Sequence, residues 1–226
     1  MTRREPRSMT LSLFDEDASE STPSVEALGA QAFVLRGFAR GVAPALLQDL
    51  RAVEERAPFR HMQTPGGFTM SVALTNCGRL GWTSDRSGYR YTERDPLTDA
   101  PWPPMPESFL ALARSAAAEV GFSDFEPDAC LVNRYLPDSR LTLHQDRNER
   151  SFDAPIVSVS LGIPATFLFG GLERNDPAVR VPLRHGDVAV WGGVDRLRFH
   201  GVLPLKHAVH PEVGERRLNF TLRRAG

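Results

Sequence analysis

From about residue 128 to the C-terminus the chain is a succession of short runs in which apolar and polar residues alternate: DACLVNRY, LTLHQD, IVSVSLG, ATFLFG, DVAVWGG, RFHGVLP and RRLNFTLR. Gly, Pro and Asp punctuate them, and no helical run lies between. Successive strand residues point to opposite faces of a sheet, so alternation over a few residues marks a half-buried strand. Parallel strands need long crossover connections, and here the connections are short. The pattern therefore predicts an antiparallel sandwich or jelly roll over about 128–226.

Upstream the pattern changes. AFVLRGF (32–38) reads as a first strand. Residues 43–57 carry Leu46, Leu47, Leu50 and Val53 at helical spacing. A second helix is expected from about Pro106 to Val120, with Phe109, Leu112, Ala116 and Val120 on one face and Gly121 after its end. The class is thus α+β: N-terminal helices, then a β core. Residues 1–28, rich in Ser, Glu, Asp and Thr, read as a flexible tail, and Met9 offers a second plausible start. Residues 29–226 read as a single domain, which a chain of 226 residues suits. Between the helices lies TPGGFTMSVALTNCGRLGWTSDRSGYRYT (64–92), rich in Gly and aromatic residues. It reads either as a pair of edge hairpins or as a flap over a site, with Trp82, Tyr89 and Tyr91 as stacking surfaces.

Bulk properties exclude some classes. A net charge of −1 argues against a protein that coats duplex nucleic acid by charge alone. Two cysteines, Cys77 and Cys130, make neither a thiolate zinc site nor a disulfide framework, and fit a reducing, cytoplasmic setting. No run approaches the roughly 20 apolar residues of a membrane helix, so no membrane partner is expected. The opening MTRREPRSMTLSLF lacks the apolar segment of a secretory signal.

LTLHQD carries the first chemistry. His144 and Asp146, two apart, share a strand face, and FHG places His200 54 positions after Asp146. Two imidazoles and one carboxylate bound on one face leave the opposite positions of an octahedron open, which is the ligand set of non-haem Fe(II) oxygenases. The other four histidines, His61, His185, His207 and His210, read as solvated or structural. In RRLNFTLRR, Arg217, Asn219, Thr221 and Arg223 share one face, while Leu218, Phe220 and Leu222 share the other. Either that polar face is exposed, or its two Arg and an Asn need an anion, because a buried unpaired charge is costly. A small dicarboxylate suits them, since a guanidinium grips a carboxylate bidentately. In DACLVNRY, Leu131, Asn133 and Tyr135 share a face, and the Asn and Tyr could complete its hydrogen bonds. An Fe(II) site beside a dicarboxylate pocket is the layout of a 2-oxoglutarate-dependent dioxygenase.

The stretches TPGGFTMSVALTNCG, LGWT, DACLVNRY, LHQD, APIVSVSLG, FGGLERNDP, HGDVAVWGG, FHG and LNFTLR together resemble the AlkB family of DNA-repair dioxygenases over roughly residues 30–226. The resemblance implies a double-stranded β-helix core with a nucleotide-recognition lid at about 64–92. It implies Fe(II) as cofactor, with 2-oxoglutarate and O2 as cosubstrates. The implied reaction is oxidative demethylation of N-alkylated bases such as 1-methyladenine and 3-methylcytosine, releasing formaldehyde, succinate and CO2. Its implied substrate is single-stranded or locally melted DNA, with RNA left open, and the implied enzyme is a monomer without an obligate protein partner. Carried over by position, His144, Asp146 and His200 hold the iron. Asn133, Arg134, Tyr135, Arg217, Asn219 and Arg223 hold 2-oxoglutarate. Trp82, Tyr89, Arg90, Tyr91, Asn148 and Arg174 hold the nucleotide, with Thr64, Met70, Ser71 and Arg147 as secondary candidates. One departure stands out: where the family carries Lys-Asp after the HxD, this chain has Arg147-Asn148. Two other readings remain open, a 2-oxoglutarate-dependent hydroxylase of a protein or small molecule and a jelly-roll binding module without catalysis.

Overall fold

The computed structural model describes residues 24–226. It contains β1 (Ser24–Ala27), β2 (Ala32–Arg36), α1 (Ala43–Arg56), β3 (Arg60–Gln63), β4 (Thr69–Gly78), β5 (Gly81–Asp85), β6 (Gly88–Thr92) and α2 (Glu107–Glu119). The C-terminal half adds β7 (Ala129–Tyr135), β8 (Leu141–His144), β9 (Ile156–Gly162), β10 (Ala165–Phe169), β11 (Val179–Leu183), β12 (Val188–Trp191), β13 (His200–Val202) and β14 (Arg217–Arg223). Two antiparallel sheets make the jelly roll. The larger has the order β1-β2-β12-β9-β14-β7-β4-β3, the smaller β11-β10-β13-β8, and β5-β6 form a separate hairpin.

Each alternating run quoted above holds a strand, and β11 is one more. Its sequence VRVPL contains Pro182, which argues against a central strand, and it lies on the edge of the smaller sheet, where a missing N–H costs little. Two expected boundaries shift. Residues 1–23 of the expected tail lie outside the described residues, but Ser24–Ala27 pair with β2 along their whole length and belong to the larger sheet. The expected flap is not one unit either. β4 lies inside it yet pairs with β7 from Ala73 to Gly78, while β5 and β6, among the described residues, pair only with each other and pack Trp82 and Tyr91 against buried core residues.

The position of β14 fixes the site. It is paired on both sides, with β7 and with β9. Its apolar face, Leu218, Phe220 and Leu222, packs in a core shared with both helices. There α1 buries Ala43, Leu46, Leu50 and Val53, and α2 buries Phe109, Leu112, Ala113, Ala116 and Ala117, the spacing of one helical stripe. The Phe109 ring stands edge-on to Phe220 with centroids 4.9 Å apart. Phe220→Ala would open this seam at a cost of roughly 3–5 kcal/mol. Gly121 follows α2 with φ of 90°, a conformation that favours glycine where the chain leaves the helix. With the apolar face committed to the helices, the Arg217–Arg223 face must look into the space between the sheets. All seven β14 residues are buried.

Candidate active site

Between the sheets lies a cavity of about 700 Å³. Its floor comes from central strands of the larger sheet. Asn219 stands opposite Asn133 on one side and Ser160 on the other, and Arg217 stands opposite Tyr135. The Asn219 amide is used up within the protein: it donates to Ser158 Oγ (2.8 Å) and the Val159 carbonyl (3.0 Å), and accepts from Thr221 Oγ1 (3.2 Å). Arg217 is not so provided for. Only 2 % exposed, it donates from Nη2 to Ser160 Oγ at 3.0 Å, while Nε and Nη1 have no partner among the described residues. The buried Tyr135 hydroxyl has none either. Tyr135 and Arg217 are close enough for each to act on the other's charge, but not in hydrogen-bond geometry. Burial pushes the Tyr135 phenol up to about 12, against the pull of Arg217, and burial lowers the Arg217 guanidinium. An unsatisfied buried donor costs roughly 1–3 kcal/mol, so the fold carries a deficit here that a bound acceptor would remove.

His144 ends β8 and is paired in register with His200 at the start of β13. Asp146 follows just beyond the strand end. One ligand-capable atom from each of the three lies within 4.8 Å of the others. His144 Nδ1 donates to the Thr142 carbonyl (2.8 Å) and His200 Nδ1 to the Arg198 carbonyl (3.0 Å). A carbonyl only accepts, so both protons sit on Nδ1 and both Nε2 lone pairs are left for a metal. Burial, with His200 beside it, lowers the His144 imidazole to about 4, although 38 % of its side chain is accessible, because that access is to the protein-walled cavity. It is therefore uncharged and able to ligate at neutral pH. Burial would raise the Asp146 carboxyl, but Arg223 and the two imidazoles hold it well below the usual carboxylate range. Arg223 donates to Asp146 Oδ2 from Nη2 (2.6 Å) and Nε (3.0 Å).

At the rim, Trp82 of β5 and Tyr89 of β6 stack on each other, centroids 5.6 Å apart. The Asn76 side chain grips the Trp82 backbone at both its carbonyl and its N–H. The Trp82 indole N–H reaches Asn148 Oδ1 at 3.2 Å. Thr64, Met70 and Ser71 line the same opening.

Of the expected site residues, His144, Asp146, His200, Asn133, Tyr135, Arg217, Asn219, Arg223, Trp82, Tyr89, Asn148, Thr64, Met70 and Ser71 all meet on this cavity. Five do not. Arg134 alternates with Asn133 and Tyr135, so it emerges on the opposite face of β7, pairs with Glu54 of α1 at 3.3 Å and covers the Phe59 ring. Arg90 emerges on the opposite side of β6 from Tyr89 and is held by Asp85 at 2.6 Å. Tyr91 donates to the buried Glu149 at 2.8 Å instead of facing the opening. Arg174 donates to the Leu143 carbonyl behind the metal-capable strand (2.9 Å). Arg147 is exposed, away from the cavity. Arg223 meets Asp146 through Nε and Nη2 while lining the cavity itself, and Arg217 holds two buried donors, Nε and Nη1, without a partner among the described residues.

Sequence reasoning passed over Ser158, Trp191 and Phe167, which line the cavity, and Ser160, which holds Arg217. The two serines had a signal, since IVSVSLG repeats the period-two polar pattern of β14. Trp191 and Phe167 read as ordinary core.

A jelly roll whose inner face carries a His-x-Asp…His cluster beside buried free arginine donors defines a class of non-haem iron oxygenases. The chain belongs to the 2OG-Fe(II) oxygenase superfamily, whose family model matches residues 31–223. Within it the chain stands in the AlkB family: it is 56% identical over 215 residues to the alpha-ketoglutarate-dependent dioxygenase AlkB of Salmonella typhimurium, covering 95% of this chain and 98% of that protein. It is 33% identical over 124 residues to the human nucleic acid dioxygenase ALKBH1, covering 55% of this chain and 32% of that protein. Among solved structures, that of OsALKBH1 aligns with a TM-score of 0.76 at 26% identity, covering 89% of this chain and all of that one. The protein is thus an enzyme, a dioxygenase dependent on Fe(II) and 2-oxoglutarate (alpha-ketoglutarate).

Proposed function

We propose that this enzyme removes methyl groups from the nitrogens of alkylated bases, 1-methyladenine and 3-methylcytosine among them, in single-stranded or locally melted DNA, with RNA a second polymer open to the same site. The observation that carries the reading is one cavity with three provisions: a His/Asp/His cluster, buried unpartnered donors below it, and a stacked aromatic pair at the rim. The first two fit the cofactor set. His144, Asp146 and His200 offer two imidazole nitrogens and a carboxylate oxygen, a donor set suited to Fe(II). Arg217 Nε and Nη1, with the Tyr135 hydroxyl, offer a carboxylate of 2-oxoglutarate the partners those groups lack.

The chemistry that bound iron and 2-oxoglutarate supply is hydroxylation of the methyl carbon by O2, with 2-oxoglutarate converted to succinate and CO2. The rest is done by this chain. Arg217 and Tyr135 fix the cosubstrate on rigid central strands. The backbone carbonyls of Thr142 and Arg198 hold both imidazoles in the ligating tautomer. Trp82 and Tyr89 give the base a flat apolar surface, worth roughly 1–3 kcal/mol per stacked base. A methyl on the pairing edge is hidden inside a duplex, so the nucleotide must be unpaired to reach the cavity, and a damaged base that pairs poorly is cheaper to extrude. The hydroxymethyl group then leaves as formaldehyde and the base is restored. The name of the human relative, a nucleic acid dioxygenase, supports a nucleic-acid substrate. The same reading has the enzyme work as a monomer in the cytoplasm, without an obligate protein partner.

The test is to incubate the protein with Fe(II), 2-oxoglutarate and an oligonucleotide bearing one 1-methyladenine, then weigh the product. A strand lighter by one methylene, formed only with both cofactors, is expected. Succinate release that ignores every methylated oligonucleotide would assign the site to a protein or small-molecule hydroxylase instead.

A further inference from the structure

Behind Asp146 lies a second carboxylate that faces away from the cavity. The Glu149 side chain is 1 % exposed. Its Oε1 accepts from the Tyr91 hydroxyl at 2.8 Å and lies 3.4 Å from Arg223 Nε. Its Oε2 lies 3.3 Å from Arg196 Nη2. The same two guanidiniums hold Asp146, Arg223 by its carboxylate (2.6 Å) and Arg196 by its backbone carbonyl (2.7 Å). Each guanidinium therefore lies within hydrogen-bond or ion-pair distance of both Asp146 and Glu149. Two carboxylates face two guanidiniums, and Glu149, Arg196 and Arg223 are buried. Deleting the Glu149 charge alone would leave a buried cation uncompensated.

The far end of this chain of contacts is on the rim. Tyr91 lies on β6, two residues from Tyr89 and in register with Trp82 on β5. The hairpin that carries the stacked aromatics is thereby hydrogen-bonded to the group that braces the metal-capable carboxylate.

We propose that Glu149 is a positioning residue: through Tyr91, Arg223 and Arg196 it couples the β5–β6 hairpin to the Asp146 carboxylate, so that a nucleotide seated against Trp82 and Tyr89 is felt at the metal. The inference rests on the metal and nucleotide assignments of the proposed function. A base entering beside Trp82 shifts the hairpin, the Tyr91 hydroxyl changes its hold on Oε1, and Arg223 redistributes between the two carboxylates. Asp146 then presents its oxygens to the metal differently when substrate is present.

Co(II) serves as a visible probe of the metal site. The wild type, Glu149→Gln and Tyr91→Phe are titrated with Co(II) alone, and their spectra are recorded again after adding 2-oxoglutarate and a 1-methyladenine oligonucleotide, with oligonucleotide binding followed by fluorescence anisotropy. Glu149→Gln should weaken Co(II) binding about tenfold, the lower end of what loss of a residue behind a metal ligand costs. Tyr91→Phe removes only a hydroxyl and should bind Co(II) near the wild-type level. The oligonucleotide should alter the wild-type spectrum but leave that of oligonucleotide-bound Tyr91→Phe unchanged, a difference that a merely structural tyrosine would not produce. Unchanged Co(II) affinity in Glu149→Gln overturns the proposal, and so does an equal spectral response in Tyr91→Phe and wild type. A wild type that binds no Co(II) overturns the metal assignment and this inference with it.

Discussion

On the floor of the cavity Arg217, Asn219 and Tyr135 stand on strands paired on both sides. At the rim Trp82 and Tyr89 stand on a hairpin that pairs with no other strand among the described residues. The floor keeps its polar groups in place by fixing every neighbour and tolerates two unpartnered guanidinium nitrogens to do so. The rim spends its charges on itself, as Arg90 does on Asp85, and leaves Tyr89 exposed at the opening. Such a division suits two ligands of different kinds. A small dicarboxylate of fixed shape rewards a preorganised pocket. A polymer carrying varied damaged bases rewards a surface that recognises flatness. The difference also sets where mutation costs stability and where it costs only function.

The largest expected effect lies at the His/Asp/His cluster, whose two histidines stand on the smaller sheet. His200→Ala should remove iron-dependent succinate formation, a loss exceeding the roughly 10–100-fold that a residue behind a ligand commands. The β13 pairing is made by backbone, so circular dichroism should report an intact fold. Near-normal turnover in the folded variant would dissolve the metal assignment.

Arg217→Met separates stability from function on the floor. Removing the unpartnered guanidinium should raise the melting temperature of the ligand-free protein by about 2–4 °C, from roughly 1 kcal/mol of relieved desolvation. The same change should weaken 2-oxoglutarate roughly 10–100-fold, the loss of a charge-assisted bond of about 1.5–3 kcal/mol. A melting temperature that falls steeply would mean that Arg217 is structural and its donors are not waiting for a ligand.

The smallest effect belongs to the rim. With its Oδ1 taken by the Trp82 indole, Asn148 has its amide nitrogen left to offer a base, a donor suited to the carbonyl of neutral lesions such as 1-methylguanine and 3-methylthymine. Asn148→Asp keeps the acceptor for Trp82 and adds a charge. It should shift relative kcat/KM toward the cationic 1-methyladenine over 3-methylthymine by about fivefold, ~1 kcal/mol. A ratio that stays put, or moves toward the neutral lesion, removes Asn148 from base selection.

Floor and rim also differed in how far the sequence revealed them. Period-two alternation placed Arg217, Asn219 and Arg223 on one face and Asn133 with Tyr135 on another, because in a strand parity alone decides the face. Parity also argued against Arg134, flanked by two residues on the cavity side, and the resemblance brought it into the pocket regardless. That Arg223 would pair with Asp146 could not be read, since it depends on Asp146 arriving beside it from 77 residues away. The rim was legible only as a segment rich in Gly and aromatic residues. Nothing local says that β4 would join the larger sheet, or that Tyr91 would turn inward to Glu149 while Tyr89 stayed at the opening. Both outcomes depend on partners distant in sequence.

The division between floor and rim is tested most directly by crossing two variants with two ligands. Wild type, Arg217→Met and Trp82→Ala would each be titrated, anaerobically and with metal bound, with 2-oxoglutarate and with a single-stranded 1-methyladenine oligonucleotide. The account predicts that Arg217→Met loses at least tenfold in 2-oxoglutarate affinity and little in oligonucleotide affinity. Trp82→Ala should do the reverse, losing the roughly 1–3 kcal/mol of one stacked base. Equal losses of both ligands in both variants, or an unchanged 2-oxoglutarate affinity in Arg217→Met, would contradict it.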